Sequence, residues 1–327
     1  MPSPLTRRRF TLALGATALG GLPLAARPQP TELLKILTGF PAGGTADALA
    51  RKVADKLRGS YASAALVENR PGAGGQIGIL ALRDSPADGS CLLVTPSSML
   101  SIYPYTYSKL QYRLDDVQPV SLGAVFNHAL AVGPAVPASV KTLKELLSWA
   151  RAHPEAASCG SPGAGSMPHM ILALLQRQSG AELRHIPYRG VVQGMQDMLG
   201  GQIAAFCSPV GDSLPHLKAG KLRVLAVSGT TRSAFLPEVP TLREQGFEIT
   251  VREWYGFFMP GKAPAEAVQR AAAALQTVLA QPEVIAYGRQ FGLEVQGSTP
   301  ARLQALLAAD AQEWKGLIQQ IGFKADV

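Results

Sequence analysis

Apolar positions along the chain alternate between two rhythms. A short apolar run at 33–40 stops at Pro41-Ala42-Gly43-Gly44, and Ala46, Leu49, Ala50, Val53, Ala54 and Leu57 then recur at helical spacing over 45–57. The same order returns at once. Residues 64–68 read as a strand, Pro71-Gly72-Ala73-Gly74-Gly75 as a glycine loop, and 77–83 as a helix stopped by Pro86 and the Asp88-Gly89 turn. Strands are further predicted at 91–95, 129–132, 157–159, 183–187, 203–207, 222–228 and 253–259. Helices are predicted at 142–153, 167–179, 190–199, 263–279 and 299–321. Strands alternating with helices predict an α/β fold with largely parallel sheets. No tandem repeat is visible; what recurs is a strand, a glycine loop and a helix, at 40–47, 70–78 and 159–169.

The first residues break this rhythm. Arg7-Arg8-Arg9-Phe10 precedes an apolar run interrupted by Gly15, Gly20, Gly21 and Pro23, with small residues at Ala25 and Ala26. A basic start, a modest apolar stretch and small residues predict an export signal over 1–26, and the paired arginines point to the twin-arginine route. The alternative is a retained anchor, but the stretch is shorter and weaker than a spanning helix. The mature chain is expected to be soluble and periplasmic.

Composition bears on partners. The 327 residues are 47% hydrophobic and 17% charged, enough apolar material for a full core, with a formal charge of +8. Arg7, Arg8 and Arg9 account for three positives in a segment without acids, so a chain starting at Arg27 carries +5. The rest is dispersed, with Arg51, Lys52, Lys56 and Arg58 beside Asp47 and Asp55 on one helix. No basic stripe interleaved with aromatics exists, which counts against a nucleic-acid partner. Cys91, Cys159 and Cys207 form no C-x-x-C and fall on predicted strands, so buried inert thiols are expected.

A helix N-terminus offers unpaired N–H groups and partial positive charge, and glycine lets a ligand approach the backbone. Three glycine loops opening three helices predict an anion site at the carboxyl ends of strands, although any one of them could be a plain turn. Nucleotide fingerprints fail: Gly160 and Gly165 lack the following Lys, and Ile77 stands where the dinucleotide motif needs its last glycine. A small anion, such as a carboxylate, is implied. Catalytic and metal patterns are poor as well. His128, His153, His169, His185 and His216 have no zinc-type spacing, and no G-x-S-x-G occurs. Ser161 or Ser166 with His169 and Asp212 remains a weak hydrolase alternative. His169 either meets a ligand or is structural. Asp47 either complements its helix dipole or touches ligand, and Arg70 pairs with a ligand carboxylate or with a surface acid. Trp254, Tyr255, Phe257 and Phe258 read as core or hinge packing.

Longer segments carry a resemblance. Gly39-Phe40-Pro41-Ala42-Gly43-Gly44-Thr45-Ala46-Asp47, Val67-Glu68-Asn69-Arg70-Pro71-Gly72-Ala73-Gly74-Gly75, Ser161-Pro162-Gly163-Ala164-Gly165-Ser166-Met167-Pro168-His169 and His185-Ile186-Pro187-Tyr188-Arg189-Gly190 resemble the Bug-type solute receptors of tripartite tricarboxylate transporters. Pro86-Ala87-Asp88-Gly89, Gly200-Gly201-Gln202, the segments 219–227 and 236–241, Trp254-Tyr255-Gly256 and Ser298-Thr299-Pro300 extend the likeness over nearly the whole mature chain. The resemblance implies a type II periplasmic-binding-protein fold with two lobes, a ligand cleft and two crossovers. Lobe 1 would comprise 27–126 and 252–327, and lobe 2 would comprise 127–251.

It further implies a monomeric receptor without catalysis, cofactor or metal, which hands a small organic anion to membrane transporter subunits or reports it to a sensor protein. The carboxylate would sit on Phe40, Pro41, Ala42, Gly43, Gly44, Thr45 and Asp47 and on Arg70, Gly72, Ala73, Gly74 and Gly75. Ser97, Ser161, Gly163, Ser166, His169, Tyr188, Arg189 and Gly190 would complete the site. Ser208 stands where such receptors commonly carry an acid, which argues against amino-acid ligands.

Overall fold

The computed structural model describes residues 31–325, so the expected export signal lies outside the described residues. The first sheet has six strands in the order β11-β4-β10-β3-β1-β2. These are β1 (Thr31–Thr38), β2 (Ala62–Asn69), β3 (Cys91–Pro96), β4 (Val117–Phe126), β10 (Glu253–Pro260) and β11 (Glu294–Val295). The second sheet has five strands in the order β7-β6-β8-β5-β9. These are β5 (His128–Val132), β6 (Ser158–Ser161), β7 (Arg184–Pro187), β8 (Ala205–Pro209) and β9 (Arg223–Val227). The chain enters the second sheet after Phe126 and returns at Glu253, so two crossings join two α/β lobes.

The helices α1 (Thr45–Leu57) and α6 (Met167–Ser179) have the bounds their periodicity predicts. The expectation of largely parallel sheets needs correction, because both sheets are mixed. β1 pairs in parallel with β2 and β3, and β6 with β7 and β8. The strands beside the crossings run the other way: β10 is antiparallel to β3 and β4, and β5 to β8 and β9. A strand that arrives from the other lobe has no crossover helix to orient it in parallel.

β4 has no counterpart among the predicted strands. Pro119 and Gly123 make its sequence look like loop, yet Pro119 sits where the β4–β10 register shifts, and the Phe257 ring fills the space that a side chain at Gly123 would take. Two helices were likewise hidden by turn-like residues, α8 (Val210–Lys218) by Gly211 and an internal Pro215, and α10 (Pro282–Gln290) by its leading proline.

Helix α11 (Pro300–Ile321) belongs to both lobes. Leu303 and Leu307 pack with Leu93, Phe258 and Trp254 under the first sheet. Two turns further on, Trp314 and Ile318 join Met170, Leu174 and Val251 in the core of the second lobe. Trp254 also donates from its indole N–H to Asp310 Oδ2 at 2.7 Å, and burial pushes that carboxyl up to about 6. The assignment of 252–327 to lobe 1 therefore meets a helix that is shared. Trp314→Ala is expected to cost about 3–5 kcal/mol of unfolding free energy. Urea unfolding would measure it, and a loss under about 1 kcal/mol would show that the seam carries little.

Candidate functional site

Strand β1 runs into Phe40 and Pro41, and the chain turns at Gly43 (φ +99), a left-handed conformation that a side chain would strain. The turn lets the Gly43 N–H donate to Asp47 Oδ2 at 3.1 Å. Helix α1 then opens at Gly44, which supplies no side-chain cap, so its first-turn N–H groups must find partners elsewhere. That end faces a cavity of about 50 Å³ between the lobes. One water needs about 10–15 Å³ of such space, so the cavity has room for several waters or one small ligand.

Phe40, Pro41, Gly44, Thr45 and Asp47 line the cavity from the first lobe, and Ser166 lines it from the second. Among the described residues, those lining it include no Lys or Arg. An anion here would meet helix N–H groups rather than a cationic side chain. Burial works to raise the Asp47 pKa. Hydrogen bonds from Arg51 (2.8 Å), Asn69 (2.9 Å) and the Gly43 N–H outweigh that and hold the carboxyl below its ordinary range.

The other expected residues are placed differently. Ala42 and Gly43 face an adjoining groove that also contains Asp212. Arg70 pairs with Glu68 on the surface. Gly72, Ala73, Gly74 and Gly75 form a left-handed turn packed against the first lobe, where the Gly74 carbonyl accepts from Tyr103 Oη at 2.9 Å. Ser97 is fully buried, with its N–H donating to the Trp254 carbonyl at 2.9 Å. Ser208 is fully buried, and the following Pro209 reaches the cavity. Tyr188 donates to Asp197 Oδ2 at 2.8 Å, and Arg189 is exposed.

His169 turns away from the cavity. Its Nδ1 accepts from the Gly165 N–H at 3.0 Å, its ring stacks on His185 at 3.4 Å between centroids, and the edge of Phe323 covers it. Burial holds His169 down at about 4, and burial with the neighbouring His169 holds His185 at about 3. Ser161 bonds His185 Nε2 at 2.7 Å, and Ser166 donates to the Gly163 carbonyl at 2.7 Å. Asp212 binds neither histidine, so the hydrolase arrangement is not assembled.

The glycines have a second use. A Cβ at Gly190 would fall 2.6 Å from Pro41 Cδ, and one at Gly163 would fall 3.4 Å from Gly74 Cα. A Cβ at Gly211 would overlap the Phe291 carbonyl. In each pair the two residues come from opposite lobes, so the lobes meet at glycines. Asp212, one residue after Gly211, reaches across the same seam and accepts the Thr45 N–H at 3.3 Å.

Pattern reasoning missed His128, Glu253, Tyr103 and Tyr255, all of which line the cavity. Tyr255 Oη lies 2.9 Å from Thr45 Oγ1 beneath the open end of α1. A charged residue at the head of an otherwise apolar strand, Glu253 before Trp254-Tyr255-Gly256-Phe257-Phe258, was the available signal.

Burial pushes the Asp212 carboxyl up to about 7, against the opposing bond from Thr45. Between the ordinary 3.8 and about 7 the folded protein keeps a proton that the unfolded chain releases. Stability therefore falls as pH rises through that window. Asp212→Asn keeps an acceptor for Thr45 without the charge. Its stability relative to the parent should rise from pH 4 to pH 8 by about 2–4 kcal/mol. A difference in melting temperature that stays flat with pH would refute the buried charge.

The comparisons with known proteins fit this geometry. Residues 49–323 match the model of the tripartite tricarboxylate transporter family receptor. The periplasmic binding protein BugD is 27% identical, with a TM-score of 0.83 over 90% of this chain and 99% of that one. A protein from R. palustris solved with adipate is 26% identical, with a TM-score of 0.85 over 90% and 99%. MatC from Rhodopseudomonas palustris, solved with bound malate, is 25% identical, with a TM-score of 0.81 over 89% and 100%. All three share the two-lobed fold, and among the described residues no helix is long and apolar enough to cross a membrane. The chain belongs to the tripartite tricarboxylate transporter receptor family.

Proposed function

We propose that this chain is an exported solute receptor that captures a small carboxylate and delivers it to a tripartite tricarboxylate-type transporter. The observation that carries the reading is the N-terminus of α1, which has no side-chain cap from Gly44, shares its Thr45 N–H with Asp212 and otherwise opens to an interlobe cavity lined, among the described residues, without Lys or Arg. Carboxylate oxygens would accept the first-turn N–H groups of α1, and closure of the lobes would expel water and strengthen those bonds. Adipate and malate in two similar receptors support a carboxylate of this size. The paired arginines at Arg7 and Arg8 support export by the twin-arginine route, with the mature receptor periplasmic. The chain acts by binding and release, without turnover of its ligand.

Two variants test the site and its closure separately. Gly43→Asp places an anion and a strained backbone beside the open helix end and should lower carboxylate affinity at least a hundredfold while far-ultraviolet circular dichroism stays unchanged. Unchanged affinity by calorimetry would move the site elsewhere. Gly211→Ala fits an open protein and clashes with Phe291 only when the lobes meet. Affinity should fall about tenfold or more, and small-angle scattering should no longer show compaction on adding ligand. Compaction at the parent's affinity would mean that this seam does not limit closure.

A further inference from the structure

One end of the cavity attracts an anion, and its other walls decide how many charges that anion carries. A carboxylate taken out of water needs donors for its oxygens, so a second carboxylate on the ligand would need a second set. The second lobe faces the cavity with Pro162, Pro168 and Pro209, which have no N–H to give, and with Ser166, Val191 and Val192. The Ser166 hydroxyl hydrogen already goes to the Gly163 carbonyl at 2.7 Å. Val191 and Val192 open α7 (Val191–Leu199) after Gly190, and the Pro41 ring lies against that end, where a Cβ at Gly190 would fall 2.6 Å from its Cδ. In the first lobe the Tyr103 hydroxyl donates to the Gly74 carbonyl at 2.9 Å, and Thr45 and Tyr255 share one hydrogen bond at 2.9 Å. Among the lining hydroxyls, the hydrogens left over belong to Ser98 and to the Thr45–Tyr255 pair, both in the first lobe.

The charges on the lining point the same way. Asp47 is kept ionised by Arg51 and Asn69, and Glu253 pairs with His128 at 2.9 Å. Whether that ring carries one proton or two, the pair has no net positive charge with which to neutralise a second carboxylate. The α1 end has donors for one anion. Asp47 takes the Gly43 N–H and Asp212 takes the Thr45 N–H, so the first-turn N–H groups left over match the two oxygens of a single carboxylate. We propose that the ligand is a monocarboxylate with an apolar body, its charged group on α1 and its hydrocarbon end among the prolines and valines of the second lobe. A dicarboxylate such as adipate or malate would leave one charge without donors and is disfavoured. The inference rests on the carboxylate reading and narrows it to one charge.

Calorimetry on the full-length mature chain at about pH 8, where every free carboxyl is charged, would compare butyrate with succinate and hexanoate with adipate. Each pair has the same number of carbons and exchanges a methyl group for a carboxylate. The monocarboxylate should bind about tenfold or more tighter than its partner. Butyramide, which has no charge, should bind about tenfold or more weakly than butyrate. Val192 lines the cavity and is 36% exposed, so a longer side chain there keeps access to water. Val192→Arg sets a cation in the apolar wall, and succinate should gain about tenfold or more on butyrate; if that variant fails to fold, the ranking in the parent still decides. A dicarboxylate that binds the parent as tightly as its partner or tighter, or a ranking unchanged in folded Val192→Arg, would overturn the proposal and leave the carboxylate reading standing. Butyramide binding as well as butyrate, or no binding by any of the four acids, would overturn the carboxylate reading and this inference with it.

Discussion

A helix end buried between two lobes must have its N–H groups met, and the N-terminus of α1 sets that demand here. Asp47, from the helix's own first turn, meets Gly43, and Asp212 reaches from the other lobe to meet Thr45. Each acid is itself accommodated. Asp47 is held by Arg51 and Asn69 and stays ionised easily, whereas Asp212 has a buried second oxygen without a partner among the described residues and is pushed towards its neutral form. The same positive end thus attracts one carboxylate from each lobe and still faces free space. On the proposed reading, joining the lobes and binding an anion would draw on one source of potential.

Closing two lobes over such an end demands thin surfaces, and the glycines supply them. Gly190 against Pro41 and Gly211 against Phe291 leave no room for a Cβ, and Gly163 against Gly74 leaves only contact distance. Glycine loops are usually read as places where backbone approaches ligand; here Gly163 of the third loop also meets Gly74 of the second across the seam. The crossings add another wall of the cavity. Strands that pass between lobes end at the cavity wall, so their first residues, His128 and Glu253, are buried yet still face the ligand space.

Much of the architecture was legible in the sequence because it follows from local periodicity. The apolar stripe of α1 and the glycine stop of α6 state their own bounds, and Phe40 to Asp47 announce a glycine-led helix start. What escaped was set by partners far along the chain. β4 is a strand because Phe257 and the register shifts of β10 accommodate Gly123 and Pro119. His169 looked placed for a ligand because it follows a glycine loop, but Nδ1 is taken by Gly165 and the ring by His185 and Phe323.

By itself the sequence determined the alternation of strands and helices, the glycine-led helix starts and the dispersal of charge, since each depends on neighbours a few residues apart. It could also carry the family's motifs, which are short and contiguous. Only the tertiary structure decided which helix end opens into the cleft, which glycines serve closure, and that residues 128 and 253 form one buried pair. Those outcomes depend on how two lobes meet, and the meeting is governed by contacts between residues a hundred or more positions apart, which no local pattern encodes.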